Sequence, residues 1–160
     1  MVGLKSLVVY YSRSGNTRKV AEEVANLLGA EIDEIEEDKS RGGPLGFIFS
    51  CLDGVLKKEA RIRMPEANHS QYDLLVLGTP VWAGSMSTPM RSYLKLACKS
   101  LPRVAFFCTH GGSGASKAFL EMSKVCGSDP IATLALTEKE LAQQRYGGKV
   151  KSYVEEIINS

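Results

Sequence analysis

The sequence predicts an α/β domain built on a doubly wound, five-stranded parallel sheet with helices on both faces. Three observations predict it. Apolar runs without alternation recur along the chain, amphipathic helical patterns lie between them, and the length of 160 residues suits one domain. We therefore expect a single domain over residues 1–160, arranged as three α/β/α layers.

Buried strands are predicted at four apolar runs, because parallel strands covered on both faces need not alternate. The runs are Leu4–Tyr11, Leu74–Gly78, Arg103–Thr109 and Ile131–Leu136. A weaker strand, Glu31–Glu36, alternates apolar and acidic residues. This alternation predicts an edge strand with one face in water.

Helices are predicted where apolar residues recur at helical spacing between these strands. The predicted helices are Asn16–Leu28, Ser87–Lys99, Ser113–Val125 and Gly148–Asn159, with a further one in Pro44–Leu56. Doubly wound sheets bind ligands beyond the carboxyl ends of their strands. The loops after Tyr11, Gly78 and Thr109 are therefore the candidate site.

Composition excludes several classes of protein. Hydrophobic residues make up 44% and charged residues 24%, and no apolar run reaches the ~18 residues of a membrane span. The run Leu7–Tyr11 is too short for a signal peptide, so we expect a cytoplasmic protein. A net charge of +2 does not indicate nucleic-acid binding. The four cysteines lack CxxC spacing, which argues against a metal site.

The first loop carries the pattern of an anion site. It lies between a strand and a helix, so its backbone N–H groups would converge at the helix N-terminus. Gly15 allows close approach of the backbone, and hydroxyl and amide side chains surround it. A plain N-cap needs only one such residue. The loop consists of Ser12, Arg13, Ser14, Gly15, Asn16 and Thr17.

This run resembles the flavodoxin phosphate loop, [ST]-x-[ST]-G-x-T, and no Walker pattern competes with it. Two further loops match the same family, and with the order of strands and helices the resemblance covers essentially the whole chain. It implies a bound FMN, with its phosphate held by residues 12–17.

The second loop resembles the flavodoxin segment that lies against the isoalloxazine ring. We expect the single tryptophan, Trp82, to contact the flavin rather than serve as core. A Cβ at Ala83, where many flavodoxins have glycine, disfavours positive φ and is expected to hinder the redox-linked peptide flip. The implied cofactor-binding residues are Pro80, Val81, Trp82, Ala83 and Gly84.

The third loop resembles the one that closes over the opposite side of the ring. Its glycines suit a pocket whose N–H groups bond the pyrimidine oxygens and tune the reduced flavin. The sequence leaves three roles open for His110: stacking on the flavin ring, donating a proton, or pointing into solvent. The implied cofactor-binding residues are Thr109, His110, Gly111, Gly112 and Gly114. In the predicted helix Pro44–Leu56, Phe47 and Cys51 are weaker candidates for the pocket wall.

Three functions remain open. The first is an FMN-binding electron carrier between redox partner proteins, favoured because no catalytic residues or His–carboxylate pair stand out near the loops. The second is an enzyme, an NAD(P)H-dependent oxidoreductase of quinones or other acceptors. The third is a flavin-free interaction module of the same fold. The sequence leaves the chain a monomer or a homodimer.

Overall fold

The main sheet consists of five parallel strands and one short antiparallel strand, and two further short strands form a separate two-stranded sheet. The computed structural model describes residues 3–37, 45, 48, 52, 61–97 and 101–160. The strands are β1 (Ser6–Tyr10), β2 (Glu31–Glu34), β3 (Glu36–Glu37), β4 (Ile62–Arg63), β5 (Leu74–Trp82), β6 (Ser85–Met86), β7 (Arg103–His110) and β8 (Thr133–Thr137). The parallel strands lie in the order β2-β1-β5-β7-β8. The predicted doubly wound sheet is confirmed.

Helices follow the parallel strands. They are α1 (Asn16–Leu28), α2 (Thr88–Ala97), α3 (Ala115–Cys126), α4 (Glu138–Ala142) and α5 (Gly147–Ile158). Leu45, Ile48 and Leu52 are also helical, whereas the rest of the helix predicted over Pro44–Leu56, with Phe47 and Cys51, lies outside the described residues. Among the described residues, no helix combines the length and apolarity needed to cross a membrane.

The predicted edge strand Glu31–Glu36 is divided in two. Ile35 separates β2 from β3, is 1% exposed, and donates its N–H to the Tyr10 carbonyl. β2 pairs with β1 in the main sheet, whereas β3 pairs antiparallel with β4. The chain therefore leaves the main sheet at the buried Ile35.

Two apolar cores cover the two faces of the sheet. Successive strand residues alternate between them: Val8 of β1 belongs to one core with α1 and α5, and Val9 belongs to the other with α2 and α3. β5 and β7 alternate in the same way. All five residues of β1 are buried, which explains their lack of polar alternation.

A short helix after β8 begins with a reciprocal cap. The Thr137 hydroxyl accepts from the Glu140 N–H, and the Glu140 carboxylate accepts from the Thr137 N–H at 2.8 Å. Lys149 of α5 pairs with the same carboxylate. These contacts, that with Lys149 first, lower the pKa of Glu140 from 4.5 to about 2.

This cap predicts acid sensitivity. Because the folded pKa of Glu140 is depressed, its contribution is fully present above about pH 4.5 and is lost as pH falls toward 2. We expect Glu140→Gln to be less stable at neutral pH and to lose less stability between these pH values. Urea unfolding across the range measures this, with Glu155→Gln on an exposed position of α5 as the control. Parallel pH curves for wild type and Glu140→Gln would contradict it.

Candidate functional site

A pocket opens at the carboxyl ends of β1, β5 and β7, where the winding of the sheet reverses. Its volume is about 300 Å³, within the range of small-molecule sites. The described residues that line it are Arg13, Ser14, Asn16, Thr17, Pro80, Val81, Trp82, Ala83, Gly84, Thr109, His110, Gly111, Gly112, Ser113 and Glu138. The structure thus brings the three predicted loops together around one space.

The Ser12 side chain holds the first loop together through hydrogen bonds to its backbone. Its hydroxyl oxygen accepts from the N–H groups of Gly15 at 3.1 Å and Arg18 at 3.2 Å. The first intrahelical bond of α1 runs from the Lys19 N–H to the Gly15 carbonyl. The N–H groups of Asn16 and Thr17 come before that bond and have no acceptor within the helix. They are therefore the donors that the helix N-terminus offers to the pocket.

Gly15 gives the loop its sharp entry into α1. Its φ is 95°, a left-handed conformation that a Cβ would strain, and glycine offers no side chain of its own to cap the helix. The Ser12 hydroxyl accepts from the Arg18 N–H, which leaves the Asn16 and Thr17 N–H groups for a ligand, although Ser12 and Gly15 themselves do not line the pocket.

The charges at this end of the pocket are partly balanced. Arg18 forms an ion pair with Glu34 of β2 at 2.7 Å, and Glu34 also accepts from the Tyr10 hydroxyl. Burial is the main cause that raises the pKa of Tyr10, so its hydroxyl stays protonated. Arg13 and Glu138 carry the formal charges among the described lining residues. An anion at α1 would therefore meet N–H and hydroxyl donors on the loop that also carries the positive charge of Arg13.

Thr17 and Thr109 meet at the floor of the pocket. Their hydroxyl oxygens are 2.8 Å apart, and the residues are 1% and 4% exposed. Thr17 belongs to the first turn of α1, whereas Thr109 lies near the end of β7. This hydrogen bond joins the first loop to the third.

The second loop is a tight hairpin. β5 continues through Trp82 and turns back into β6, pairing Trp82 with Ser85. Ala83 and Gly84 form the turn with φ values of 51° and 75°. Ala83 takes positive φ in spite of its Cβ, because a two-residue hairpin turn of this twist requires positive φ at both positions. The expected hindrance of the redox-linked peptide flip stays a prediction.

Trp82 is both wall and core. It lines the pocket but is only 4% exposed, and its ring meets that of Tyr11 edge to face at 5.6 Å. Flavin contact and core packing, which the sequence presents as alternatives, are therefore both compatible with this position. Contact with a flavin stays a prediction.

The third loop packs closely on the hairpin. Gly114, at φ 93°, caps α3, and a Cβ on it would lie 2.7 Å from the Gly84 Cα. Gly114 therefore supports the pocket without lining it. His110 lies at the end of β7, and its buried Nδ1 has no hydrogen-bond partner among the described residues.

Sequence reasoning missed Ser113 and Glu138. His110 pairs in register with Thr137, which places Glu138, the next residue, at the same end of the sheet. The pattern Thr137-x-x-Glu140 marks a helix start directly after a strand, so it could have identified this position. The structure also gives the pocket both a histidine and a carboxylate, a combination that the sequence analysis did not find.

A buried ion pair lies behind the hairpin. Arg91 of α2 donates to the Ser85 hydroxyl at 2.6 Å and to the Glu121 carboxylate at 3.1 Å. The Ser85 hydroxyl also donates to Glu121 at 2.5 Å. Because Ser85 follows the turn directly, this network ties the hairpin to α2 and α3.

The described cysteines offer no reactive thiol. Cys108 and Cys126 are free and buried, and burial raises the pKa of Cys108 to about 12. Cys51 and Cys98 lie outside the described residues. Within the described part of the chain, no cluster of His, Cys, Asp or Glu side chains suits a metal ion.

Comparison with known proteins identifies the fold. No family model and no curated protein matches the sequence. Among solved structures, a flavoprotein in complex with FMN from Lactobacillus acidophilus NCFM is 23% identical with a TM-score of 0.71, covering 88% of this chain and 97% of that chain. A Bacteroides uniformis protein is 20% identical with a TM-score of 0.72, covering 96% and 99%. A flavodoxin from the domain Archaea is 18% identical with a TM-score of 0.56, covering 95% and 99%. Together with the strand order and the pocket at its switch point, these likenesses show that the chain has the flavodoxin-like fold.

Proposed function

We propose that this protein binds one FMN in the pocket and uses it to carry electrons between redox partner proteins. The observation that carries the proposal is the N-terminus of α1, with the Thr17 hydroxyl beside it, in a pocket whose other walls are the hairpin at Ala83 and the third loop. The structural likeness to a flavoprotein crystallised with FMN supports the choice of ligand.

The residues present fit the two ends of FMN. The N–H groups of Asn16 and Thr17, with the hydroxyls of Ser14 and Thr17, would hold a phosphate. The hairpin at Ala83 and the glycine-rich third loop would hold a planar ring between them. The His110 Nδ1, buried without a partner among the described residues, would gain one from a polar ligand atom.

Bound FMN would supply one- and two-electron redox chemistry, and this chain's residues would set its position and surroundings. Trp82, whose ring packs edge to face against Tyr11, would give one side of the flavin ring an apolar wall. Ala83 and Gly111 are exposed at the rim. An edge of the ring held there would be accessible to a partner protein, as an electron carrier requires.

A specific observation favours a second candidate, an NAD(P)H-dependent oxidoreductase acting on quinones or other acceptors. His110 and Glu138 both line the pocket, and His110 is a group that can hold or move a proton at its ring nitrogens. An enzyme that adds protons as well as electrons to an acceptor would use such a pair.

An anaerobic absorbance titration tests the proposal. The purified protein is loaded with FMN and reduced stepwise, first with NADPH or NADH and then with dithionite. For a carrier we expect little bleaching by the nicotinamides and a one-electron reduced spectrum during the dithionite steps. Rapid two-electron bleaching by NADH or NADPH would favour the oxidoreductase. Failure to bind added FMN would overturn both candidates.

The contact between Gly114 and Gly84 predicts a binding defect. In Gly114→Ala the new Cβ meets the Gly84 backbone and strains a φ of 93°, so the hairpin must move away from the third loop. We expect the FMN dissociation constant to rise roughly tenfold, equivalent to about 1.4 kcal/mol. Quenching of FMN fluorescence on binding measures the constant.

Gly127→Ala is the matched control. Gly127 caps the opposite end of α3 with a φ of 70°, and a Cβ there would meet nothing within 4 Å. It carries similar backbone strain but lies away from the hairpin. Equal loss of FMN affinity in both variants would show that general destabilisation, and not the hairpin contact, is responsible.

A further inference from the structure

The hydrogen bond between Thr17 and Thr109 links parts of the chain that are far apart in sequence. The two hydroxyl oxygens lie 2.8 Å apart across 92 positions, and either oxygen satisfies the geometry of the donor. Both residues line the pocket and both are nearly inaccessible to water. Neither hydroxyl can therefore exchange this partner freely for solvent.

Each hydroxyl has one proton to donate and two lone pairs to accept with. If Thr17 donates to Thr109, its proton is used inside the protein. If Thr109 donates to Thr17, the Thr17 proton is released and points to another acceptor. The direction of this single bond therefore decides whether Thr17 can donate to a ligand.

A negative group at the N-terminus of α1 would favour the second arrangement. Thr17 lies in the first turn, beside the N–H groups that precede the Lys19–Gly15 bond. There the helix dipole and the free N–H groups favour an anion, and an anion is a strong acceptor for the Thr17 proton. Donation from Thr109 would then polarise the Thr17 hydroxyl and strengthen its bond to the anion.

We propose that Thr109 is a positioning residue for the phosphate: its hydroxyl donates to Thr17 Oγ1 and thereby commits the Thr17 proton to the phosphate of the ligand. The proposal rests on the proposed FMN site. It makes Thr109, on the strand that leads into the ring-binding loop, a determinant of preference for a phosphorylated flavin over an unphosphorylated one.

The test compares FMN with riboflavin, which has the same ring and lacks the phosphate. Dissociation constants for both ligands are measured by fluorescence titration in wild type, Thr109→Val and Thr109→Ser. Valine keeps the shape of threonine but has no hydroxyl, whereas serine keeps the hydroxyl. We expect Thr109→Val to weaken FMN about tenfold and riboflavin less than about twofold, because without the Thr109 donor the Thr17 hydroxyl is neither polarised nor held in place for the phosphate, and riboflavin has no phosphate for it to bind. Thr109→Ser should retain most of the wild-type affinity for FMN, because serine keeps the hydroxyl.

A comparison in the Thr17→Val variant tests whether Thr109 acts on the phosphate through Thr17. In Thr17→Val the relay is already absent, so adding Thr109→Val should leave the ratio of FMN to riboflavin affinity unchanged. If Thr109→Val does not fold, Thr109→Ala removes the same hydroxyl without adding bulk and serves in the same comparison.

The outcomes separate the two proposals. Equal weakening of FMN and riboflavin by loss of the Thr109 hydroxyl would show a purely structural bond and overturn the inference. An unchanged FMN constant would overturn it as well. Both results would leave the FMN site standing. Wild-type protein that binds neither flavin would instead overturn the proposed function.

Discussion

Replacement of Arg91 by methionine is expected to lower the free energy of unfolding by about 3–5 kcal/mol, the usual result of removing one member of a buried ion pair. Arg91 is 5% exposed, and the Glu121 side chain that it pairs with is 11% exposed. Methionine fills much of the same volume and suits a helix, so the lost charge is the main change. Urea unfolding measures the effect.

The double variant Arg91→Met/Glu121→Met is the control. Removing both charges leaves no carboxylate that has lost its ion pair with Arg91, and apolar replacements of buried ion pairs are often neutral. We therefore expect the double variant to regain most of the lost stability. A single variant within about 1 kcal/mol of wild type would mean that water or neighbouring groups already solvate Glu121.

Gly78→Ala is expected to cost about 3 kcal/mol, the upper part of the range for overpacked cores. Gly78 lies in β5 at the centre of the sheet, next to Phe107 in the register with β7. A Cβ on Gly78 would lie 2.0 Å from the Phe107 Cζ and 2.5 Å from its Cε2. The ring is fully buried, so it has no open space to move into.

Two companion variants test this explanation by the same unfolding measurement. Gly148→Ala adds a Cβ that meets nothing within 4 Å, in the first turn of α5, and should not destabilise the protein. Phe107→Leu in the Gly78→Ala background should recover part of the loss, because a smaller side chain relieves the overlap. If Gly78→Ala is as stable as wild type, β5 and β7 must be able to separate at low cost.

Local sequence signals predicted α1 within its observed bounds, Asn16–Leu28. Apolar residues at helical spacing identify its buried face, and Gly29, at a φ of 66°, ends it. The first loop was predictable for the same reason. A glycine among hydroxyl and amide residues, between a strand and a helix, needs no distant contact to define an open N-terminus.

Structural features that depend on residues distant in sequence could not be predicted from local patterns. β5 was predicted to end at Gly78 but continues to Trp82, because the hairpin with β6 extends the ladder. Glu138 was missed because its place in the pocket comes from the pairing of β8 with β7. The Arg91–Glu121 ion pair joins two helices and has no local pattern at all.

By itself, therefore, the sequence determined the class of fold, the alternation of strands and helices along the chain and the three loops to examine. Hydrophobic periodicity and turn-forming residues act over a few neighbouring positions, so they can be recognised from the sequence alone. Only the tertiary structure decided which hydroxyls, charges and glycines meet. The Thr17–Thr109 bond, the Gly114–Gly84 contact and the positive φ of Ala83 all arise where segments distant in sequence, or strands forced into register, are packed against one another.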